Sequence, residues 1–289
     1  MTGDIINAQR AEVLTQAMPY IQKYYNKIIV IKYGGNAMIN EDLKRQVMED
    51  IILLRLVGVK VVLVHGGGPE ITELLDKLGK KSVFIDGLRV TDQESAAIVQ
   101  MVLAGKVNKN LVNLIQTKGG NAIGLCGIDG RLIEARKLDD VHGYVGEITK
   151  VNVKPIIDLL ENGYIPVIST VGCDAEGNVY NINADTAAAH IAGAMRAERL
   201  MTLTDIAGVL RDVNDPTSLI RFINLDDAKR MITDGSVKGG MIPKIECCIE
   251  AISRGVSKVT IIDGRIPHSL LMELLTDEGA GTMIAQSED

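Results

Sequence analysis

The sequence predicts an α/β protein, a three-layer αβα sandwich built on a mostly parallel central sheet. Two observations support this prediction. First, residues 27–32 and 59–65 are short apolar runs rich in Val and Ile, which is typical of strands buried on both faces of a sheet. Second, each run leads directly into glycines, Gly34 and Gly35 after the first and residues 66–68 after the second, and then into a helical pattern. The chain therefore repeats the order strand, glycine turn, helix.

The same alternation continues along the chain, and no internal repeat or low-complexity linker separates domains. A chain of 289 residues accommodates the alternation as one large domain or as two fused lobes. The predicted strands are residues 27–32, 59–65, 121–125, 165–169, 199–204 and 258–262. The predicted helices are residues 4–25, 40–57, 69–78, 92–103, 105–118, 153–162, 184–195, 225–233, 241–254 and 267–275. Hairpin turns are predicted around residues 86–87, 129–130, 143–151 and 176–177.

Helix-end signals justify several of these boundaries. Thr91 is the predicted N-cap of the helix over 92–103, with Glu94 at the capping-box position. Gly163 ends the helix over 153–162. Asn183 is the predicted N-cap of the Ala-rich helix over 184–195, and Asp185 lies in its first turn, where a carboxylate suits the helix dipole. From these residues alone, capping is the favoured role of Asp185.

Composition excludes several classes of protein. Hydrophobic residues make up 46% of the chain and aromatic residues only 3%, so the core must consist of Ile, Val, Leu and Ala. A formal net charge of −6, with no basic patch, argues against a nucleic-acid partner. No apolar stretch reaches membrane-spanning length, and the N-terminus lacks the apolar region of a signal peptide. The 4 cysteines form no C-x-x-C pair and favour free thiols in a reduced compartment, so we expect a cytoplasmic protein.

The two glycine turns predict a phosphate site at the C-terminal edge of the sheet. Backbone N–H groups in such turns point at an anion, and the missing Cβ lets phosphate oxygens approach. Lys32 lies at the mouth of the first turn. A glycine after a strand often serves only to form a turn. Two glycine clusters on consecutive strands, one of them with a lysine, favour the anion site. Neither GxxxxGK[ST] nor GxGxxG occurs, which disfavours a P-loop NTPase and the usual dinucleotide-binding fold.

Other candidate residues also lie at the ends of elements, and each has a structural alternative. Thr204 and Asp205 end an apolar strand, where a nucleotide or an ordinary turn fits equally well. Lys244 lies one turn into a predicted helix, where the dipole opposes a cation, so it needs an anionic partner unless it is solvated. Arg89 follows a hairpin turn and either clamps a carboxylate or lies on the surface. His65 adjoins the second glycine turn, as a catalyst or as a hydrogen-bonded strand end.

Five motifs together resemble the amino acid kinase family in order and spacing, over essentially the whole chain. They are KYGGNA at 32–37, HGGGP at 65–69, DGLRVT at 86–91, NINAD at 181–185 and GMIPK at 240–244. Within the family the resemblance is to members that act on N-acetyl-L-glutamate, because aspartokinases and other near relatives differ at the first turn. Arg89 inside DGLRVT is the stronger discriminator. The resemblance implies the amino acid kinase fold and transfer of phosphate from ATP to the γ-carboxylate of N-acetyl-L-glutamate, in arginine synthesis.

The resemblance also implies roles for the candidate residues. Lys32 and Lys244 would stabilise the transferring phosphoryl group, and Asp185 would orient both lysines. Acetylglutamate would be held by Gly67, Gly68, Arg89 and Asn181. ATP with its Mg²⁺ would be held by Gly35, Thr204, Asp205, Gly208, Leu210, Ser236 and Met241, and no side chain is assigned as a metal ligand. Residues 26–195 would form the acetylglutamate-binding lobe and residues 196–289 the ATP-binding lobe of one continuous domain.

Such a reaction needs no catalytic base. A γ-carboxylate has an ordinary pKa of about 4.3, so it is already ionised at neutral pH. The enzyme has to bring together two anions that repel each other and to neutralise charge on the moving phosphoryl group. Two lysines, glycine N–H groups and a metal suit that task, and Asp185 is then an organiser of cations.

The helix over residues 4–25 precedes the first strand, and its apolar side, with Ile5, Ala8, Val13, Ala17 and Ile21, needs cover. It packs either on its own subunit or on another copy. In arginine-inhibited relatives a similar helix interlaces dimers into a hexamer, and the resemblance implies the same here. Arginine would bind beside residues 268–281, with a contact set of Tyr20, Arg211, His268, Glu278 and Gly281. Within that set Glu278 would accept the guanidinium and Tyr20 would cover the aliphatic stem.

Two other functions stay open from the sequence. One is a non-catalytic sensor that binds an amino acid and signals through its oligomer. The presence of Lys32, Asp185 and Lys244 together argues against it, because a binding module needs no phosphoryl-stabilising set. The other is a kinase of the same family that acts on a different carboxylate or on a carbamate.

Overall fold

The structure, a computed structural model, describes residues 11–12, 14–38, 40–212 and 214–287. Strands and helices alternate through most of these ranges. The strands are β1 Ile28–Tyr33, β2 Lys60–His65, β3 Phe84–Ile85, β4 Leu88–Arg89, β5 Ala122–Cys126, β6 Ile133–Lys137, β7 Gly146–Val151, β8 Ile165–Ser169, β9 Val171–Cys173, β10 Val179–Asn181, β11 Arg199–Thr204, β12 Phe222–Asn224, β13 Lys258–Asp263 and β14 Gly281–Ala285. The α-helices are α1 Met18–Tyr24, α2 Glu41–Leu56, α3 Gly68–Lys77, α4 Gln93–Gln100, α5 Asn108–Thr117, α6 Lys154–Glu161, α7 Ala184–Ala194, α8 Leu225–Thr233, α9 Met241–Ser253 and α10 Ser269–Leu275.

The central sheet has eight strands in the order β12-β14-β13-β11-β1-β2-β8-β5. Every neighbouring pair is parallel except β13 and β14, which are antiparallel. The C-terminal ends of β1, β2, β8 and β11 therefore meet at one edge, where Lys32 is aligned with Thr202 of β11 and Val64 of β2. A smaller sheet, β10-β9-β6-β7, and the β3–β4 hairpin lie outside the central sheet.

Side chains alternate between the two faces of the sheet, and each face has its own core. On β1, Ile29, Ile31 and Tyr33 join the core formed with α2, α3, α4, α5 and α10, while Val30 joins the core formed with α6, α7, α9 and the smaller sheet. All four side chains are fully buried. The predicted αβα sandwich on a mostly parallel sheet is confirmed. Over the described ranges, no helix combines the length and the apolar character needed to cross a bilayer.

The region of α4 and α5 differs from the prediction in two ways. The N-cap of α4 is Asp92, whose Oδ1 accepts a hydrogen bond of 2.7 Å from the N–H of Ser95. The prediction that Thr91 is the cap is therefore wrong. The Thr91 hydroxyl instead donates to the backbone oxygen of Arg89. The helices also do not separate at Gly105, since a π-helical segment, Met101–Val107, joins α4 directly to α5. Burial of apolar side chains from this segment outweighs the low helix propensity of glycine.

Two strands were not predicted, and one predicted hairpin is wrong. β12 has only 3 residues, and β14 begins at a glycine in a stretch rich in turn residues. β14 is a strand because it pairs with β13, and a Cβ at Gly281 would lie 2.0 Å from the Ile261 oxygen. The turn at 129–130 is a 3₁₀ segment that connects β5 of the central sheet to β6 of the smaller sheet.

The predicted N-terminal helix is interrupted where it is described. Residues 11–12 and 14–16 are helical, Ala17 forms a turn, and α1 then begins at Met18. Pro19 accounts for the interruption, because proline lacks an N–H and restricts the residue before it. Tyr24 of α1 is 3% exposed and packs into the core of its own chain. Residues 1–10 and 13, with the predicted apolar positions Ile5, Ala8 and Val13, lie outside the described residues.

Candidate active site

Lys32 and Asp185 form a buried ion pair at the C-terminal edge of the sheet. Lys32 Nζ lies 2.9 Å from Asp185 Oδ1, and the two side chains are 8% and 23% exposed. β1 delivers the lysine, and the first turn of α7 delivers the aspartate. Asn183 holds that turn as its N-cap, because its Oδ1 accepts hydrogen bonds from the N–H groups of Asp185 and Thr186. Capping is thus the role of Asn183, which leaves the Asp185 carboxylate for the lysine.

Lys244 adds a second cation to this pair. It lies in the first turn of α9, and its charge acts on the Asp185 carboxylate. Burial alone would raise the pKa of Asp185, but the positive charges of Lys32 and Lys244 outweigh burial and hold that pKa below its usual range. Asp185 therefore stays ionised at neutral pH. Since two lysines share one carboxylate, the group keeps a net positive charge and can receive an anion.

The glycine turns are closed to larger residues for identifiable reasons. Gly35 has φ +71°, which favours glycine, and a Cβ on Gly34 would lie 3.1 Å from Lys32 Nζ. A Cβ on Gly67 would lie only 2.7 Å from Leu103 Cδ2, a side chain of the π-helical segment. Gly68 begins α3, so the second turn ends at the N-terminus of a ten-residue helix, which attracts anions.

Next to the ion pair is a cleft of about 150 Å³. Its walls come from the second glycine turn, the β3–β4 hairpin and the residues before α7. Its lining includes Gly67, Gly68, Arg89 and Asn181, the residues predicted to hold the substrate. Asn181 Nδ2 lies 3.4 Å from the hydroxyl of Thr91, which keeps the amide at the wall of the cleft. The structure therefore brings the four predicted substrate residues together.

Arg89 is a buried cation whose acceptors are neutral in the part of the chain that the structure describes. It is 7% exposed and donates to the Gly68 oxygen at 3.0 Å, to the Thr72 hydroxyl at 2.8 Å and to the Ser82 hydroxyl. Its guanidinium lies 4.7 Å from the centre of the Phe84 ring. Burial lowers the pKa of Arg89, partly offset by Asp76. A buried guanidinium without a carboxylate partner is suited to an anionic ligand in the cleft.

His65 is a buried, hydrogen-bonded residue at the end of β2 and not a catalyst. It is fully buried; its Nδ1 lies 2.7 Å from the Gly66 oxygen and its Nε2 lies 3.1 Å from Asn108 Nδ2. Burial lowers the pKa of His65 to about 4, so the ring is neutral at physiological pH. A neutral ring with these neighbours donates from Nδ1 and accepts at Nε2.

The predicted ATP residues lie in the first glycine turn, in the segment that ends β11 and in the segment that leads into α9. Thr204 ends β11 beside β1, and the residues to Leu210 follow it. Gly208 has φ +137°, and a Cβ there would meet the Thr282 hydroxyl at 2.5 Å. Asp205 continues from Thr204, and its carboxylate oxygen lies 3.3 Å from the Thr204 hydroxyl. Ser236 is exposed and precedes α9, whose first residue is Met241.

Sequence reasoning missed Asp263, which is aligned with Thr204 at the end of β13 and is 5% exposed. Arg265 donates to its two carboxylate oxygens at 2.9 and 2.8 Å. Burial acts to raise the pKa of Asp263, but the hydrogen bonds from Arg265 hold it below its usual range. The sequence signal that could have identified Asp263 is an apolar run that ends in an aspartate, as also occurs at Thr204 and Asp205.

A second cavity of about 360 Å³ lies between α1, α10 and the start of β14. Three of the residues predicted to bind arginine line it, Tyr20, Glu278 and Gly281. The Tyr20 hydroxyl is hydrogen-bonded to Asp277. The cavity also holds the buried pair of Arg199 and Glu273, with Nη1 and Oε1 3.0 Å apart, which the sequence analysis did not single out.

The other two residues predicted to bind arginine lie outside that cavity. Arg211 is exposed, and its N–H bonds the Ser218 oxygen at 3.0 Å. His268 precedes α10 with φ +57°, and its Nδ1 lies 2.6 Å from Oδ1 of the buried Asp50 on α2. The structure thus brings together three of the five and separates two.

The chain also matches known proteins over most of its length. Residues 27–263 match the model of the amino acid kinase family. The acetylglutamate kinase of Clostridium beijerinckii is 56% identical over 281 residues, which cover 96% of this chain and 99% of that protein. The acetylglutamate kinase of Brachyspira hyodysenteriae is 54% identical over 282 residues, which cover 97% of this chain and 98% of that protein.

Among solved structures, the N-acetylglutamate synthase of Neisseria gonorrhoeae, complexed with coenzyme A and N-acetyl-glutamate, has the same fold. The TM-score is 0.85 at 26% identity, over 96% of this chain, which spans 64% of the synthase's length. The chain belongs to the amino acid kinase family, as its five motifs predict. Within that family of phosphotransferases it groups with the acetylglutamate kinases, which it matches from end to end.

Proposed function

We propose that the chain transfers the γ-phosphoryl group of ATP to the γ-carboxylate of N-acetyl-L-glutamate, giving ADP and N-acetyl-L-glutamyl 5-phosphate in arginine biosynthesis. The observation that carries this proposal is the buried Lys32–Asp185 pair with Lys244 beside it, next to a cleft lined by Arg89, whose hydrogen-bond acceptors among the described residues are neutral. The names of the full-length relatives support the same reaction.

The cleft suits a dicarboxylic substrate. Arg89 would donate two parallel hydrogen bonds to one carboxylate of acetylglutamate, since none of the acceptors it contacts in the structure is charged. Asn181 and the backbone N–H groups of Gly67 and Gly68 would orient the rest of the molecule. The γ-carboxylate would then face Lys32 and the ATP phosphate across the first glycine turn.

Charge neutralisation is the main catalytic contribution that these residues offer. Lys32 and Lys244 would bind the equatorial oxygens of the phosphoryl group, where negative charge accumulates in the transition state. Asp185 fits the role of an organiser, because it binds Lys32 directly, attracts Lys244 by its charge and, with a lowered pKa, takes up no proton at neutral pH. No step requires a base, which agrees with the structural role of His65.

ATP would lie across Gly35, Thr204, Asp205, Gly208, Leu210, Ser236 and Met241, in a lobe of residues 196–289 that faces a substrate lobe of residues 26–195. Within the described ranges no cluster of three or more His, Cys, Asp and Glu is suited to hold an ion. Mg²⁺ usually keeps several waters and binds the phosphates and one or two carboxylates, so such a cluster is not needed. All four thiols are free, in keeping with the cytoplasmic location that we propose.

Substrate profiling tests the proposed reaction. ATP consumption should be fast with N-acetyl-L-glutamate and should remain near background with glutamate, aspartate and carbamate. Trapping the acyl phosphate with hydroxylamine shows that the carboxylate was phosphorylated. Equal rates with another carboxylate or carbamate would point to a different kinase of the family, and binding without ADP formation would point to a sensor.

We also propose feedback inhibition by L-arginine in a hexamer. The cavity of Tyr20, Glu278 and Gly281 supports this proposal, since it combines an aromatic ring, a carboxylate and backbone groups beside the N-terminal helix. Arginine would act only if it fits one arrangement of the lobes better than another. Arg211 and His268 would enter this site only after a rearrangement, because both lie outside the cavity here.

A further inference from the structure

The two helices that carry Asp185 and Lys244 pack against each other along their length. α7 is rich in alanine, and residues 187–193 are all buried. The helices approach so closely that a Cβ on Gly193 of α7 would lie 2.4 Å from the Cβ of Arg254, just after α9. Such close contact leaves little room for rotation, but the alanine-rich surface of α7 offers few side-chain ridges that would prevent sliding along the axis.

A polar contact joins the two helices at the partly exposed border of this interface. His190 Nε2 of α7 is 3.0 Å from Glu250 Oε1 of α9, and the side chains are 10% and 37% exposed. Arg254 donates to the same Glu250 oxygen at 3.1 and 2.9 Å. The hydrogen bond from His190, with the help of Arg254, outweighs burial and lowers the pKa of Glu250 to about 2. The carboxylate is therefore ionised and holds both partners over the whole physiological range.

The order of the contacts shows that the two helices run in the same direction. Asp185 faces the charge of Lys244, Thr186 is hydrogen-bonded to Cys247, His190 meets Glu250 and Gly193 meets Arg254. Glu250 lies six residues after Lys244, about 9 Å along the helix axis at 1.5 Å per residue. In two parallel helices, any slide at Glu250 moves Lys244 past Asp185 by the same distance.

We propose that His190 is a positioning residue: by binding Glu250 it fixes the axial register of α9 on α7 and so holds Lys244 at Asp185 during phosphoryl transfer. This inference rests on the proposed function, in which Lys244 stabilises the phosphoryl group. α7 belongs to the proposed acetylglutamate lobe and α9 to the proposed ATP lobe, so the contact sets the register between the two lobes.

Four variants test this role by steady-state kinetics. His190→Ala should lower kcat roughly 10- to 100-fold, the loss expected from a displacement of about 1 Å, while both KM values stay near those of the wild-type protein. His190→Gln, which keeps a hydrogen-bond donor, should have a kcat close to that of the wild-type protein. Glu250→Gln, which removes the charged acceptor, should lower kcat. Glu246→Gln is the matched control, because it changes an exposed glutamate one turn earlier on α9 and should have no effect.

A double-mutant cycle separates positioning from general stability. In a Lys244→Ala background, His190→Ala should change kcat by no more than about twofold, because its effect passes through the missing lysine. The same fold loss in both backgrounds would overturn the proposal. If His190→Ala is too unstable to assay, Glu250→Gln carries the same expectation in the cycle.

A substrate-free measurement keeps this test apart from the proposed reaction. After ¹³C reductive methylation, the Lys244 methyl resonance is assigned with Lys244→Arg. It should move in His190→Ala and in Glu250→Gln and should stay in place in Glu246→Gln. A resonance that does not move would overturn the positioning role. A wild-type protein that fails to phosphorylate acetylglutamate would instead contradict the proposed function. The methyl resonance would still test the contact between His190 and Glu250.

Discussion

The charges of the candidate active site do not balance without ligands. Lys32 and Lys244 share Asp185, and the buried Arg89 near them has neutral acceptors. Buried cations are costly unless they are paired, so the site is suited to two anions at once. A phosphoryl group at the lysines and a carboxylate at the arginine meet that requirement. We therefore expect the two lysines to affect turnover and Arg89 to affect substrate binding.

Lys32→Ala and Lys244→Ala should each lower kcat far more than they raise the KM for acetylglutamate. Removing one transition-state cation should cost several kcal/mol, since removing one oxyanion donor costs about 3–4 kcal/mol. The Lys32 change also leaves Asp185 with a single partner. Steady-state kinetics with both substrates measures the effect. Turnover close to that of the wild-type protein in either variant would contradict the assignment.

Arg89→Lys should weaken acetylglutamate binding and leave ATP affinity nearly unchanged. A planar guanidinium matches a carboxylate with two parallel hydrogen bonds, which a single ammonium does not reproduce. Separate calorimetric titrations with each ligand measure the effect. Ser82→Ala is a suitable control, because it removes an acceptor of Arg89 and keeps the guanidinium. Equal losses for both ligands would mean that Arg89 supports the fold and not the substrate.

Among the helices, the packing of α2 against α10 contains a buried carboxyl group that is only partly hydrogen-bonded. Asp50 is 1% exposed; its Oδ1 is bound to His268, and its Oδ2 has no hydrogen-bond partner among the described residues. Burial raises the pKa of Asp50 to about 6, partly offset by His268. The folded state therefore favours the protonated carboxyl more than the unfolded state does. The contribution of this group to stability is full at low pH and is lost as the pH rises through about 6.

Asp50→Asn should therefore become more stable relative to the wild-type protein as the pH rises. A folded pKa near 6 implies a change in the relative free energy of unfolding of about 2 kcal/mol between roughly pH 4.5 and pH 7. Urea unfolding of both proteins at several pH values measures it. A difference that is constant over this range would show that Asp50 keeps its ordinary pKa in the folded state.

At the scale of the whole molecule, the N-terminal segment exposes some of its apolar side chains and buries others in the core. Leu14 and Met18 are 74% and 52% exposed, while Tyr24 is 3% exposed and lies 5.4 Å from Arg199 in a cation–π contact. One part of the segment is thus anchored on its own chain, and the part before it has apolar surface to cover. This division agrees with the proposal that the segment joins a second copy while α1 borders the arginine cavity.

Deletion of residues 1–25 should give active dimers that do not respond to arginine. The unfolding temperature should also fall, because Tyr24 leaves the core. Light scattering measures the oligomeric state, arginine titration of the activity measures the inhibition, and a thermal unfolding curve measures the unfolding temperature. Glu278→Gln is the control, since it keeps the segment and should remain hexameric while arginine inhibition weakens. A truncated protein that stays hexameric or arginine-sensitive would contradict this role of the segment.

Much of this molecule follows from local sequence patterns. The apolar runs before Gly34 and Gly66 specify parallel strands because few other structures bury Val and Ile on both sides, and their glycines specify turns at one edge. Lys32 and Arg89 could be singled out as candidate anion-binding residues by their type and position, whereas the role of Asp185 follows from the resemblance to the family, since its position alone favours capping. Asn183 could be identified as a cap, since the cap depends on neighbours within three residues.

Other features depend on contacts between residues far apart in the chain. β14 is a strand only because β13 is beside it, and the π-helical segment persists through Gly105 only because its side chains are buried. The pairing of His190 with Glu250, of Asp50 with His268 and of Arg199 with Glu273 each joins residues 60 or more positions apart. Periodicity reports which face of an element is buried. It does not report which partner lies opposite, because that depends on how all the layers pack at the same time.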